Sequence, residues 1–213
     1  MKNNTRCSRL QLFFAAVFLL GIATSANAAQ VNLIINGGFE GPVVAPLDLY
    51  QHRVANQLTG WSVVSSYIGV VQFNNLYDLA SEGSQAVQFE TLGDRISQSF
   101  ATVTGQSYTL AFDLYRYRGS VTSGWPTLGV TVGNINNATF VGNGSAGYVT
   151  NTLQFMAVSS ITALTFTYPW NSPGPFPELD NVSVSSPAAV PIPAAFWLFG
   201  SGLIGLLGFL RKP

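Results

Sequence analysis

The chain has 213 residues and very little charge, since Asp, Glu, Lys and Arg make up only 8% of it. Soluble domains usually carry about a quarter charged residues. The chain also has a single histidine and a single cysteine, whereas 47% of its residues are hydrophobic. This composition excludes a basic nucleic-acid-binding protein and a charged disordered protein. It leaves a membrane-associated chain or an exported domain with a neutral polar surface.

The net charge of zero is an average over segments of different character. Three of the nine basic residues lie within the first ten positions, and Arg211 and Lys212 lie near the end of the chain. Residues 30–186 contain the other four basic residues and all nine acidic ones, so their net charge is −5. An acidic body therefore lies between two basic ends, and each end needs its own explanation.

Residues 1–28 have the three parts of a secretory signal peptide. Basic residues are followed by the apolar stretch Leu10–Ile22, and the small residues Ala26 and Ala28 stand at the expected cleavage site. An uncleaved membrane anchor is the alternative interpretation. Because Cys7 lies inside this segment, cleavage would remove the only cysteine. The exported protein would then have no disulfide, thiol nucleophile or cysteine zinc ligand.

Residues 187–213 end in a second hydrophobic segment. Ala194–Leu210 has no charged residue over 17 positions, which is at the short end for a membrane-spanning helix. Arg211 and Lys212 follow it, as expected on the cytoplasmic side of a membrane. We therefore expect a single-pass transmembrane helix, with a buried core helix as the alternative.

Val190, Pro191 and Pro193 form a Pro-x-Pro motif before this helix, and the apolar segment and the basic tail follow it. This order resembles the PEP-CTERM sorting signal of Gram-negative bacteria that produce exopolysaccharide. Ile192 stands where glutamate is most familiar. The resemblance implies recognition by a membrane exosortase after removal of the signal peptide by signal peptidase. It also implies an inner-membrane intermediate and a final location at the cell surface or in the extracellular matrix.

The body of the chain, residues 30–186, is predicted to be one all-β domain. It has no sustained helical periodicity, whereas apolar and polar residues alternate in many short stretches, which is typical of β-strands. These stretches predict about ten strands, located near residues 31–35, 61–64, 70–73, 86–90, 95–100, 110–114, 128–132, 149–155, 164–168 and 182–184. Many short strands without helices indicate an antiparallel β-sandwich, and we expect the jelly-roll type.

Six segments of this body follow one another in a recognisable order: Asn32–Glu40, Gly60-Trp61, Glu82–Val87, Ile96–Phe100, Gly105–Asp113 and Leu179–Val184. They resemble galactose-binding-like jelly rolls, which include carbohydrate-binding modules. Their order resembles that of the choice-of-anchor C proteins and of the plant cell-wall family called domain of unknown function 642. The resemblance implies binding of glycans or cell-wall material.

An aromatic set is the candidate carbohydrate-binding site. If Phe112 faces the core, alternation places Asp113, Tyr115 and Tyr117 on the opposite, solvated face of the sheet. Tyrosine rings can stack on sugars while carboxylates accept hydrogen bonds from hydroxyl groups. Trp125 follows in a loop that could close one end of this site. Ordinary cross-strand pairing of the tyrosines is the alternative.

Glu40 and Asp180 are the candidate metal ligands. Asp180 shares its parity with Val182 and Val184, so it is expected to point inward at the rim of the core. The resembling modules often hold a structural Ca²⁺ through carboxylates at such positions, and calcium suits an oxygen-rich extracellular domain. The alternative is that the two carboxylates accept backbone N–H groups or pair with Arg95.

The sequence does not favour catalysis. His52 is the only histidine and lies in a polar stretch without a nucleophile motif, and no spacing pairs two carboxylates. The expected function is that of an exported, non-catalytic protein that binds polysaccharide and has no nucleic-acid partner. A structural surface protein that associates with itself is the main alternative, and a hydrolase is a further one.

Overall fold

The computed structural model describes residues 30–43, 50–53, 57–64, 68–72, 80–116, 124–142, 147–172 and 176–187. For residues 50–53, 71, 72 and 116 it describes the backbone alone. Several sequence predictions concern residues outside these ranges, namely Ala26, Ala28, Tyr117, Val190, Pro191, Pro193, Arg211 and Lys212. Within the described ranges there is no helix that is long and apolar enough to span a membrane.

The described residues contain eleven β-strands. Their bounds are β1 Tyr50–Arg53, β2 Ser62–Val64, β3 Ile68–Gln72, β4 Gln85–Phe89, β5 Arg95–Ala101, β6 Ser107–Arg116, β7 Thr127–Val132, β8 Ile135–Val141, β9 Gly147–Met156, β10 Ile161–Thr167 and β11 Glu178–Ser185. Nine of them overlap strands predicted from alternation. β1 and β8 were not predicted, and β8 lies at the edge of its sheet, where polar side chains such as those of Asn136 and Asn137 are exposed.

The strands form two antiparallel sheets whose order defines the fold. One sheet has the order β1-β3-β4-β11-β6-β9 and the other the order β2-β5-β10-β7-β8. From β4 onward, successive strands alternate between the sheets, except for the hairpin of β7 and β8. This interleaving of β4-β11-β6-β9 with β5-β10-β7-β8 is the arrangement of a jelly roll, in which two Greek keys wrap around one core. The predicted all-β jelly-roll sandwich is confirmed.

Aromatic side chains join the two sheets across the core. The ring of Phe112 on β6 packs edge-on against Phe166 on β10 and Phe140 on β8, at centroid distances of 5.2 and 4.9 Å. Trp61 lies between Phe39 and Phe166 at 5.4 and 6.2 Å. The Trp61 side chain is buried, and its indole N–H donates to the Asn36 carbonyl oxygen over 3.1 Å.

The first described segment was predicted as a strand near residues 31–35, but no strand is assigned there. It runs instead along the last part of β11, where the Leu33 N–H donates to the Val184 carbonyl and the Val182 N–H donates to the Gly37 carbonyl. A Cβ atom on Gly37 would lie 1.9 Å from the Val182 carbonyl oxygen. Glycine at position 37 therefore permits this close approach of the two chain segments.

A β-bulge in β11 changes which side chains face the core. The register with β6 shifts between Asp180 and Ser183, and Asn181 has a positive φ of 49°. Before the bulge, Leu179 pairs with Leu114 in the core, so Asp180 faces away from it and pairs with Asp113. The prediction that Asp180 points inward with Val182 is wrong, because simple alternation ends at the bulge.

Truncation of Phe112 to alanine tests how far the sandwich depends on this aromatic contact. The side chain is fully buried between two partner rings, so we expect Phe112→Ala to lower the free energy of unfolding by about 3–5 kcal/mol. Thr139→Ala on the exposed side of β8 is the control, with an expected change of less than about 0.5 kcal/mol. Urea unfolding followed by tryptophan fluorescence measures both, and equal changes would contradict this account of the core.

Candidate functional site

A row of polar and aromatic side chains crosses the outer face of the six-stranded sheet. Gln88 on β4 pairs with Glu178 on β11, and Tyr115 on β6 pairs with Tyr148 on β9. Since Leu179 lies opposite Leu114, Glu178 lies beside Tyr115, and the four residues form one continuous row. Asp113 lies on the same face, two residues from Tyr115. These five residues are called the outer-face cluster below.

The members of the row contact one another across the strands. The Gln88 side-chain amide donates to Glu178 Oε1 over 2.7 Å. The rings of Tyr115 and Tyr148 meet edge-to-face with their centroids 5.3 Å apart. Tyr115 lies on the predicted face, but only 7% of it is exposed, so the prediction that it is solvated is wrong. The cross-strand pairing considered as the alternative is present.

Asp113 is also buried rather than solvated, with 4% of its surface exposed. Its Oδ2 accepts hydrogen bonds from the Ser81 hydroxyl and from the Asn181 side-chain amide, the latter over 3.0 Å. Residues of the segment before β4 thus contact this part of the face, which local alternation could not reveal. Within the described part of the chain, Asp113 Oδ1 is buried and accepts no hydrogen bond. A buried carboxylate oxygen without a donor is costly, so Oδ1 is a strong acceptor for any hydroxyl that reaches it.

Asp180 is the most completely buried carboxyl group of this face. Its Oδ2 accepts the Glu82 backbone N–H over 2.9 Å, and its Oδ1 accepts the N–H of Asn181 over 2.7 Å. Burial raises the pKa of Asp180 to about 7, against the lowering effect of these backbone hydrogen bonds, and the nearby Glu82 carboxylate raises it further. The side chain is therefore partly protonated at neutral pH.

Glu40 joins the first segment to the segment before β4. Its Oε1 accepts the backbone N–H groups of Ser84 and Gln85, each over 2.7 Å, and its Oε2 accepts the Ser84 hydroxyl over 2.9 Å. Gly83 has a φ of 64°, and a Cβ atom there would lie 2.4 Å from Glu40 Oε1. The contacts of Glu40, Gly83, Ser84 and Gln85 are called the clasp below, and they give Glu40 a structural role.

The hydrogen bonds of Glu40 and Asp180 match the alternative to a metal site. Both oxygens of each carboxylate accept N–H or O–H donors, as in the alternative in which backbone groups are their partners. The part of the chain that the structure describes holds no group of three His, Cys, Asp or Glu residues placed to bind a metal. Calcium binding by Glu40 and Asp180 stays a prediction.

Trp125 lies next to the strand that carries Tyr115. The Gly142 N–H donates to the Pro126 carbonyl over 2.8 Å, and a Cβ atom on Gly142 would lie 2.5 Å from the Tyr115 carbonyl oxygen. The segment containing Trp125 is thereby held against the end of β6, and the Trp125 side chain is half-buried. The segment that contains Trp125 therefore lies near the end of β6, and a role of Trp125 in the binding site stays a prediction.

Two open clefts lie elsewhere on the described surface. One, of about 500 Å³, lies beside Thr59, Ser62, Ser97 and Ser99, and the other, of about 420 Å³, lies beside Asn36, Gly38, Glu40 and Glu82. Neither has an exposed aromatic ring in its lining, and several of the amide and carboxylate groups in these linings already hold backbone groups. The outer-face cluster is therefore the best candidate for ligand contact.

The jelly-roll strand order and the cluster of tyrosine, carboxylate and amide groups on the outer face of one sheet define a class of all-β module. Residues 32–185 match the family described as "Protein of unknown function (DUF642)", and the chain belongs to that family. The resemblance to this family seen in the sequence is confirmed. Among the curated proteins, none matches this chain.

Many solved structures are similar to the chain in fold. They include the carbohydrate-binding module TmCBM61 in complex with β-1,4-galactotriose, with 16% identity, a TM-score of 0.44, and coverage of 73% of this chain and 99% of that one. A family 35 carbohydrate-binding module from Clostridium thermocellum has 17% identity, a TM-score of 0.44, and coverage of 64% and 98%. The module CBM36, in complex with calcium and xylotriose, has 12% identity, a TM-score of 0.42, and coverage of 64% and 98%. The ligands belong to those proteins.

The raised pKa of Asp180 predicts a pH-dependent stability. Between about pH 4 and pH 7 the folded state keeps a proton that the unfolded state has lost, because the pKa rises from 3.8 to about 7 on folding. The contribution of this group to the free energy of unfolding therefore falls as the pH rises through this window, by up to about 4 kcal/mol. Urea unfolding at several pH values measures it.

Burial also raises the pKa values of Glu90 and Asp94. A variant is therefore needed to separate the contribution of Asp180 to the pH dependence from theirs. We expect Asp180→Asn to remove its share of the slope between pH 4 and pH 7. Thr139→Ala on the exposed side of β8 is the control, because it touches no ionisable group, and it should leave the slope unchanged. An unchanged slope in Asp180→Asn would contradict the assignment.

Proposed function

We propose that this chain is an exported, non-catalytic protein that binds polysaccharide through the outer-face cluster. The observation that carries the proposal is the continuous row that Gln88, Glu178, Tyr115 and Tyr148 form on the outer face of the sheet, with Asp113 beside it. Amide and carboxylate oxygens accept hydrogen bonds from sugar hydroxyls. The same face supplies the aromatic rings that sugar recognition requires.

The arrangement of the row supports a ligand larger than one sugar ring. Gln88 and Tyr148 are separated by three strand spacings, which is about 14 Å. Along this length the ligand would meet an amide and a carboxylate first, and then two tyrosines whose rings meet edge-to-face. Amide and carboxylate groups fix hydroxyl positions, and the rings pack against apolar C–H faces. Trp125 extends this surface beyond the end of β6.

The hydrogen bonds of the acidic residues favour binding rather than hydrolysis. A glycosidase needs two carboxyl groups on either side of the scissile bond, one of them free to transfer a proton. Here the oxygens of Asp180 accept backbone N–H groups, and Asp113 Oδ2 is held by Ser81 and Asn181. These contacts suit fixed acceptors better than a mobile acid and base.

The ends of the sequence support a route to the exterior of a Gram-negative cell. We propose removal of residues 1–28 by signal peptidase after Ala28 and retention of the chain at the inner membrane by residues 194–210. An exosortase then recognises the segment that begins at Val190. The domain would act at the cell surface or in an extracellular polysaccharide matrix, where a glycan-binding module meets its ligand.

Tyrosine truncations test the binding proposal. The full chain, purified in mild detergent, is screened on an array of neutral and acidic glycans, and the affinity for the best ligand is measured by calorimetry. Loss of an aromatic contact should cost about 1.4 kcal/mol, so we expect Tyr115→Ala and Tyr148→Ala each to weaken binding about tenfold. Asp113→Asn is expected to weaken it through loss of the charged acceptor.

Thr165→Ala, on the outer face of the other sheet, is the matched control and should bind like the unaltered chain. Absence of binding to every glycan would contradict the proposed function and favour a structural surface protein. Binding that all three cluster variants leave unchanged would place the glycan elsewhere on the domain. Release of shortened glycan during the measurement would instead indicate a hydrolase.

The sorting proposal is tested in a Gram-negative host that carries an exosortase. We expect replacement of both Pro191 and Pro193 by alanine to leave the chain in the inner membrane at its uncleaved size, because the motif no longer matches the signal. Ile192→Ala is the control and should be processed. Immunoblots of membrane and surface fractions measure the outcome, and equal processing of both variants would contradict recognition of this motif.

A further inference from the structure

Four aliphatic side chains are exposed together at one end of the sandwich. Val103 follows β5, Met156 ends β9, Val158 lies in the next loop, and Ile161 begins β10. They are 44% to 66% exposed. Because antiparallel strands end and begin at this same edge, the four residues lie close together, and they are called the aliphatic end below. Clustered exposed aliphatic side chains indicate a surface that contacts something apolar.

The backbone beneath these side chains is firmly held. The Thr102 N–H donates to the Ser160 carbonyl over 2.9 Å, and its hydroxyl donates to the Ser159 carbonyl over 2.9 Å. The Gly105 N–H donates to the Ala157 carbonyl over 2.8 Å. These bonds join the two loops of the aliphatic end into one platform. The aliphatic side chains are thus presented outward by a bonded backbone rather than left exposed by a loose loop.

No charged residue lies near this platform along the chain. Residues 96–112 and 119–177 contain no Asp, Glu, Lys, Arg or His. Arg95 begins β5 and is six residues from Ala101, and Asp113 is six residues from Ser107 on β6, so each is separated from this end by about 20 Å of strand. The described residues that neighbour the aliphatic side chains along the chain are therefore uncharged, and such a surface can approach lipid without desolvating an ion.

Both ends of the described domain leave the sandwich at the same end as the aliphatic side chains. Ser185, the last residue of β11, pairs with Thr109 near the start of β6, and the Gln30 side-chain amide donates to the Ser186 carbonyl over 2.7 Å. The apolar segment predicted to span the membrane begins only seven residues after Pro187, at position 194. A fully extended chain of this length spans about 25 Å, so the tether is short.

We propose that the aliphatic end rests on the lipid bilayer, with Val103, Met156, Val158 and Ile161 in the interfacial region. The inference rests on the membrane-anchored intermediate of the proposed function. The short tether and its exit point bring this end to the membrane surface, and its uncharged loops can enter the headgroup region. The acidic groups Asp113 and Asp180, each several residues along its strand from this end, are kept away from anionic lipid headgroups.

The test uses the full chain, with Cys7→Ser so that one introduced cysteine carries an environment-sensitive fluorophore. The fluorophore is placed by Val158→Cys at the aliphatic end or by Asn171→Cys in the exposed loop between β10 and β11 at the other end. Each protein is reconstituted into vesicles of phosphatidylethanolamine and phosphatidylglycerol, and insertion is checked by flotation. We expect a blue shift and quenching by brominated lipid at position 158 and neither at position 171.

A charge introduced beside the label supplies a matched comparison. With the fluorophore at position 158, Val103→Asp should reduce the blue shift and the quenching, whereas Thr139→Asp on β8 should leave them unchanged. Vesicles that carry the protein without quenching at position 158 would overturn the bilayer contact while leaving the anchor in place. A blue shift that grows with protein density and is insensitive to brominated lipid would assign this end to a second copy of the chain and would also overturn the proposal.

Failure of the protein to float with the vesicles would refute the membrane-anchored intermediate together with this inference. The glycan-binding measurement does not depend on either and keeps its own outcome. Equal quenching at positions 158 and 171 would show that the domain lies on the membrane in no preferred orientation, which contradicts the proposal.

Discussion

The structure depends most on how β11 is held in the six-stranded sheet. Its first residues pair with both β4 and β6, and its last residues pair with β6 and with the segment that begins at Gln30. Pairing with β4 ends at Leu179, just before the bulge at Asn181. After the bulge, this side of β11 bonds to the N-terminal segment instead of β4. The same bulge directs Asp180 away from the core and into contact with the segment before β4. One local irregularity therefore joins the N-terminal segment, the central sheet and the buried carboxyl group.

Most of the segments that resemble the family in the sequence build the fold, and Asp113 is the one residue of the outer-face cluster that lies in them. Asn36 holds the Gly41 and Thr59 carbonyls, Glu40 forms the clasp, and Gln85 donates to the Phe39 carbonyl. These contacts tie distant parts of the chain into one sheet edge. Tyr115 and Tyr148 of the outer-face cluster lie outside these segments, whereas Asp113 lies at the end of one of them.

The alternation of apolar and polar residues was enough to predict which side chains of a regular strand face the core. It could not predict the contacts between segments that are distant in the sequence. β5, β6 and β10 alternate cleanly, so their core faces and the outward positions of Asp113 and Tyr115 could be predicted. Their burial could not, since the contact of Asp113 with Ser81 is made by a segment 32 residues away. Tyr148, Gln88 and Glu178 were missed because strand register alone brings them beside Tyr115. The prediction that Asp180 points inward was wrong for a similar reason. The bulge arises from the pairing of β11 with β6, and alternation along one strand does not reveal it.

The uncharged surface between residues 119 and 177 has a consequence for the environment in which the protein works. Attraction and repulsion between ions weaken within about 10 Å at moderate salt, and their strength changes whenever salinity changes. A surface of hydroxyl, amide and aliphatic groups has almost no such interactions to lose. Its contacts depend on shape, hydrogen bonding and apolar burial, so screening by salt weakens them much less than it weakens contacts between ions.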